Sequence, residues 1–372
     1  MSVAGAAAAA FGGAGWLSGF SASAADGEGP YGPLQPADAN GVALPQGFTS
    51  RVVARSGEKV GGSAYDWHPA PDGGSCFADG NGWIYVSNSE VSSSGGVGAI
   101  RFAADGSVVD AYRTLDGTDV NCSGGRTPWN TWLSCEEVEE GQVYETDPFG
   151  ANAAVVRPAM GTFKHEACAA DEDHKVIYLT EDLPDGGFYR FTPAAWPDLS
   201  AGTLEIMVGD EDQTEGAVTW AVVPDPSAAD DATRDQVDGS KPFDGGEGCY
   251  YAGGTCWFTT KGDNRVWAYD ANAGTIQLTY DDDSPLSGVD AVTGTPGGDL
   301  FVAEDGGNME ICIITPDGVV APFLRVDGHD GSEITGPAFS PDGTRLFFSS
   351  QRGTSNENGA GMTFEVTGPF RG

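Results

Sequence analysis

Three acidic pairs carry the first chemical signal: Glu136-Glu137, Glu181-Asp182 and Glu304-Asp305. Each closes an apolar segment of β type: TWLSCEE from Thr131, VIYLTED from Val176 and DLFVAED from Asp299. Sets of carboxylate oxygens suit hard cations such as calcium or magnesium. A second group of candidates lies upstream of the acidic or equivalent segment ends: Asn121-Cys122, His165-Glu166, Glu247 and Asp290. A thiolate amid carboxylates shifts the expected metal towards a transition ion such as iron. Carboxylates gathered without partners raise one another's pKa. Lys261 is the one basic residue in register with them, so bound cation is the expected compensation.

The elements that must hold these residues are repeated. Six segments share one layout, beginning at residues 83, 131, 176, 255, 299 and 345, with steps of 48, 45, 79, 44 and 46 residues. Each is followed by a short Gly- or Asp-rich turn and a second strand-like run. β-Rich periods near 45 residues indicate propeller blades, which stack because a blade cannot bury both faces alone. The expected fold is therefore an all-β, six-bladed β-propeller, one domain over residues 45–372, with residues 26–44 as a linker. The long step implies one long loop insertion, about residues 194–243, lying over a mouth. The run FTSRVVARSGEKV from Phe48 is expected to add an outer strand to the last blade and close the ring.

Aligned on their apolar cores, the six segments end in Asn88, Glu136, Glu181, Thr260, Glu304 and Ser350, then Ser89, Glu137, Asp182, Lys261, Asp305 and Gln351. Equivalent positions in a propeller stand at one height around the axis. The start of each innermost strand lies beside the end of the next strand. Both sets are thus expected at one mouth of the central channel.

Composition narrows the partners. Asp and Glu number 55 against 18 Lys and Arg, a formal charge of −37. Phosphate-backbone contact needs a basic face, so nucleic acid is excluded as a partner, and docking on anionic lipid is disfavoured. Residues 1–25 are rich in Ala and Gly and end near Ala22-Ser23-Ala24, an A-x-A cleavage pattern. They resemble the apolar part of a twin-arginine export signal, although the first positive residue is Arg51. Export to the periplasm or exterior is expected, without stable membrane insertion. Nucleophile-elbow, P-loop and zincin motifs are absent.

The run NCSGGRTPWNTWLSCEE, residues 121–137, resembles the signature of the PhoX-type alkaline phosphatases, roughly NCxGGxTPWGTWLxCEE. Similar stretches follow in the family's order: KHEAC from Lys164, YLTED from Tyr178, EGCYY from Glu247, WFTTKGDNRVWAYD from Trp257, GGDLFVAEDGG from Gly297 and GPAFSPDGTRLFFSSQ from Gly336. The resemblance implies a six-bladed propeller, exported by the twin-arginine route. It would hydrolyse small phosphate esters with an iron (Fe3+) and calcium cluster. It implies Cys122 as the iron-binding thiolate, with Glu137, Glu166 and Glu247 completing the catalytic metal-holding set. Glu136, Glu181, Asp182, Asp290, Glu304 and Asp305 would hold calcium or support its ligands. An Arg that precedes the E-G motif by two residues in the family is Gly245 here; Arg126 is the candidate to replace it, with Asn88 as a further substrate contact. The family's Asp-Asn in the fifth blade is Asp290-Ala291, and its Asn-His-Glu after the first is Asn88-Ser89-Glu90. Two other readings compete: a calcium-dependent propeller hydrolase acting on lactones or diesters, and a non-catalytic propeller stabilised by metal.

Overall fold

The computed structural model describes residues 25–282 and 284–371. The expected export segment falls outside the described residues except at Ala25. Six antiparallel sheets succeed one another along the chain. Their innermost strands are Pro71–Asp79, Asn121–Arg126, His165–Asp171, Gly246–Ala252, Val289–Gly294 and Ile334–Phe339, in blades one to six. Among the described residues helix is limited to four short 3-10 turns.

The second strands are aromatic and β-branched runs cut off by Gly and Asp turns, a composition suited to a pleated surface buried on both faces. Every residue of Val176–Glu181 and of Thr255–Thr260 is buried. Six hydrophobic clusters fill the structure, each shared by two neighbouring blades. Between blades three and four, for example, Phe188 stacks on Phe258 at 4.1 Å between ring centroids. Near the axis space runs out: a Cβ on Gly125 would lie 2.1 Å from the Cys168 carbonyl oxygen of the next blade. That explains the paired glycines after Cys122.

The first and last parts of the domain join as expected. Thr49–Arg55 pairs antiparallel with Met362–Thr367, so the sixth blade is built from both ends. Residues 26–44 differ from the expected linker. Val42–Ala43 pairs with Val326 and Arg325, and Ala25–Asp26 runs parallel to Val319 and Val320. Val42, Ala43 and Leu44 are buried. Covering the outer edge of blade five removes a row of unpaired backbone groups from solvent.

The insertion is also more ordered than a loop. Asp198–Val208 is the fourth strand of blade three, with Leu204 and Ile206 turned into the core. Thr219–Val222 adds a fifth strand to that blade, and Glu215–Ala217 pairs with Thr275–Asp281 of blade four. Acidic and Ala-rich turns around these strands hide their short alternation from a reading by composition.

Candidate metal centre at one mouth of the channel

All six innermost strands break register with their neighbours at the same place. The breaks fall between Pro71 and Gly74, Asn121 and Gly124, His165 and Cys168, Gly246 and Cys249, Val289 and Val292, and Thr335 and Ala338. A bulge frees a residue from the ladder and re-aims its side chain. The first freed residues are Asp72, Cys122, Glu166, Glu247, Asp290 and Gly336. Five of the six offer a carboxylate or thiol. In blade six, where Gly336 offers none, Glu333 supplies the acid from just before the strand.

The residues following the second strands complete the arrangement. Ligand atoms lie within 4.8 Å of one another in four overlapping groups: Asp72, Glu90 and Cys122; Cys122, Glu137 and Glu166; Glu166, Glu247 and Asp290; Asp290, Asp305 and Glu333. The groups share members, so they form one continuous band from blade one to blade six. The Gln351 amide donates to both Asp72 and Glu90 and closes it. Of the residues expected at this mouth, Cys122, Glu137, Glu166, Glu247, Asp290 and Asp305 are brought together. Asp182 stands behind Glu137, both bound to Lys164.

Three acids expected in the same band turn away from it. Glu136 accepts the N–H groups of Asp119 (2.9 Å) and Gln142 (3.1 Å). Glu181 accepts the N–H of Gly187 (2.8 Å), the hydroxyl of Tyr189 (2.7 Å) and the Arg234 guanidinium (3.0 Å). Glu304 accepts the N–H groups of Ser287 (2.8 Å) and Glu310 (3.0 Å). Successive side chains on a strand point to opposite sides. The first acid of each pair therefore latches the turns of its own blade, and the second faces the axis or its rim. His165 is likewise turned away: it is buried against Phe163, its Nε2 lies 3.0 Å from the Gly161 carbonyl, and burial lowers its pKa to about 4.

The two expected substrate contacts also stand elsewhere. Asn88 is fully buried; its amide donates to the carbonyls of Cys122 (3.1 Å) and Ser123 (2.7 Å), and its oxygen accepts from Trp132 and Ser134. It fixes the Cys122 loop and has no atom left for substrate. Arg126 ends the strand Asn121–Arg126, with its backbone roughly 13 Å beyond that of Cys122 at ordinary strand rise. Its guanidinium donates to the Cys76 carbonyl (3.2 Å) and covers Phe77. It lines a cavity of ≈ 600 Å³ with Cys168 and Tyr250, below the acidic band.

Sequence reasoning missed Asp72, Glu90 and Glu333 as members of the band. Asp72 had a signal, since Asp72-Gly73-Gly74 occupies the bulge position of Cys122-Ser123-Gly124. Glu333 had none, because it lies immediately before its strand, outside both aligned registers. Lys261 is the one basic residue in the aligned registers, but two further cations reach the band from outside them. Lys164 lies 2.9 Å from Glu137 and 2.6 Å from Asp182, and Arg352 lies 2.6 Å from Glu333. Both enter from positions outside the two aligned registers.

Charge is distributed unevenly. Lys261 Nζ lies 2.7 Å from Glu247, 3.7 Å from Asp290 and 3.4 Å from Asp305. Among the described residues no Lys or Arg pairs with Asp72, Glu90 or Glu166. Glu166 is 1% exposed and its Oε2 has no hydrogen-bond partner. Burial, then the charge of neighbouring acids, holds the carboxyls of Asp72 and Glu166 well above their usual range. The same causes raise Glu137 to about 7. Burial raises Asp290 to about 6 although Lys261 opposes it. Burial followed by Asp72, Glu166 and Glu137 pushes the Cys122 thiol up. In Asp182 burial is outweighed by hydrogen bonding to Lys164 and Glu137, and its pKa falls. A divalent cation would reverse the upward shifts by favouring the ionised forms.

The family described as alkaline phosphatase PhoX matches the chain over residues 88–147 and 139–277. The chain belongs to the PhoX alkaline phosphatase family. That match runs from the end of blade one's second strand into blade four and includes the bulge residues Cys122, Glu166 and Glu247 of this PhoX-family chain. No curated protein matches it. Among solved structures, a provisionally assigned gluconolactonase shares 13% identity, covering 91% of this chain and 99% of that one, with a TM-score of 0.52. A streptogramin B lyase shares 12% identity over 87% of this chain and 98% of that one, TM-score 0.50. A structural-genomics protein of unknown function from Bacteroides thetaiotaomicron shares 10% identity over 90% and 83%, TM-score 0.52. At such identities these structures show the propeller fold alone.

Proposed function

We propose that this PhoX-family chain hydrolyses small phosphate monoesters at the acidic mouth, using calcium and iron held there. The observation that carries the reading is the buried, partnerless oxygen of Glu166 between a thiol and carboxylates from other blades. An acid in that setting is costly unless protonated or matched by a cation. The donor set fits both ions: carboxylate oxygens for calcium, and Cys122 among carboxylates for iron. Cys122, Glu137 and Glu166 would form the central set, joined by Asp72 and Glu90.

Such ions, when bound, supply Lewis-acid polarisation of the phosphoryl group and offset its charge in a loose transition state. The chain's own residues supply position. Asn88 holds the backbone of Cys122 and Ser123, and Lys164 holds Glu137 against Asp182. The net charge of −37 repels a phosphate ester at long range, so binding depends on the local field of the mouth. We also propose export as the setting of this activity; among the described residues no helix is long and apolar enough to cross a membrane.

The test is elemental analysis of protein purified without chelator, paired with turnover of an aryl phosphate and a lactone panel. Bound calcium and iron with chelator-sensitive phosphate release are expected. Finding neither metal, or lactone turnover without phosphate release, would overturn the proposal.

A further inference from the structure

The band of acids is closed on one side by a residue of the chain itself. We propose that the Lys261 ammonium is the resident cation of the corner formed by Glu247, Asp290 and Asp305, standing where a divalent ion would otherwise sit. Metal would then be confined to the arc around Cys122 and Glu166.

The geometry supports this in three ways. The ammonium has three N–H donors and no acceptor, and three carboxylates from two blades surround it at 2.7, 3.7 and 3.4 Å. Its backbone is fixed: the Lys261 N–H donates to the Gly245 carbonyl at 2.8 Å, and Gly245 has φ +70 with Asp182 beside it. The position itself is equivalent by strand register to Glu137, Asp182 and Asp305, so blade four puts a cation where blades two, three and five put acids. Glu333, the next acid along, already pairs with Arg352 at 2.6 Å. By contrast, Glu166 has a buried Oε2 without a hydrogen-bond partner and, among the described residues, no Lys or Arg paired to it. The inference rests on the proposed function only in treating the band as a holder of cations.

The experiment compares wild type with Lys261→Gln and Lys261→Arg, using calcium titration by calorimetry and elemental analysis of each protein. Lys261→Gln is expected to bind one calcium ion more per chain than wild type, and Lys261→Arg no more than wild type. Equal calcium counts in wild type and folded Lys261→Gln would overturn the proposal. Should Lys261→Gln fold only when calcium is present, that dependence supports it. Anomalous scattering from manganese-soaked wild-type crystals gives a reading free of the variants. Peaks are expected beside Cys122 and Glu166, and a peak coordinated by Asp290 and Asp305 would overturn the proposal whatever the variants do. The two readings fail separately: wild type without any metal sinks the phosphatase reading, while an extra ion in Lys261→Gln would still support the role of Lys261.

Discussion

The arc from Asp72 to Glu166 and the arc from Glu247 to Glu333 are built alike. Both hang acids from a bulge at the start of an innermost strand. They differ in how the charge is met. Lys261 and Arg352 serve the second arc, while the first has a thiol, an unpaired carboxylate oxygen and no ion-paired Lys or Arg on Asp72, Glu90 or Glu166. Repeated backbone geometry therefore supplies equivalent positions, and single side chains decide whether a position carries its own cation or requires one from outside.

The comparison can be broken most directly at Glu166. Glu166→Gln is expected to cut metal-dependent phosphate release by about 100-fold or more, since even residues supporting metal ligands cost 10–100-fold when lost. The same change removes a buried carboxyl that burial and its acidic neighbours force to hold a proton, so the metal-free variant should melt above metal-free wild type in calorimetry. A lower melting point with unchanged metal content would place the demand for cation elsewhere.

The pH dependence of the metal-free protein sharpens the contrast next. Glu137 and Asp290 have folded-state pKa values of about 7 and about 6, above those of the unfolded chain. The folded protein then holds protons that the unfolded chain has released, so stability is complete below the ordinary carboxylate range. It is lost as pH rises through about 6 and then about 7. The melting temperature of chelated protein should fall between pH 5 and 8, and metal should flatten the fall. A rise over that interval in the chelated protein would contradict the shifts.

Outside both arcs the expected effects are smaller. Glu181→Gln weakens the latch to Gly187, Tyr189 and Arg234, and denaturant titration should show a loss of about 1–3 kcal/mol with metal content unchanged. A loss of bound metal would return Glu181 to the centre. Arg126→Ala should change phosphate turnover by less than about twofold, because its guanidinium is engaged by the Cys76 carbonyl and the Phe77 ring and its backbone lies roughly 13 Å along the strand from that of Cys122. A large loss would move the substrate to the lower cavity.

Much of this was legible without coordinates because propeller symmetry turns spacing into position. The steps near 45 residues predict six blades, and the run around Cys122 marks the mouth. Legibility ended where a single residue's direction mattered. Glu136 and Glu137 are chemically alike and adjacent, yet one caps its own hairpin and the other faces the axis. Asn88, polar and in register, is consumed by the backbone of Cys122 and Ser123. Residues 26–44 and 194–243 show no regular long alternation, and their strands form because open edges of blades three, four and five accept them.

The amino-acid order by itself determined the blade count, the closure of the ring by residues near Phe48 and the grouping of most acids at one mouth. These follow from local pattern and period. Tertiary structure alone decided which acids share space, that Asp72, Glu90 and Glu333 belong with them, and that Lys164, Lys261 and Arg352 answer part of their charge. Electrostatic partnership depends on distances across blades, and a bulge or a reversed side chain changes those distances without leaving a mark on the pattern.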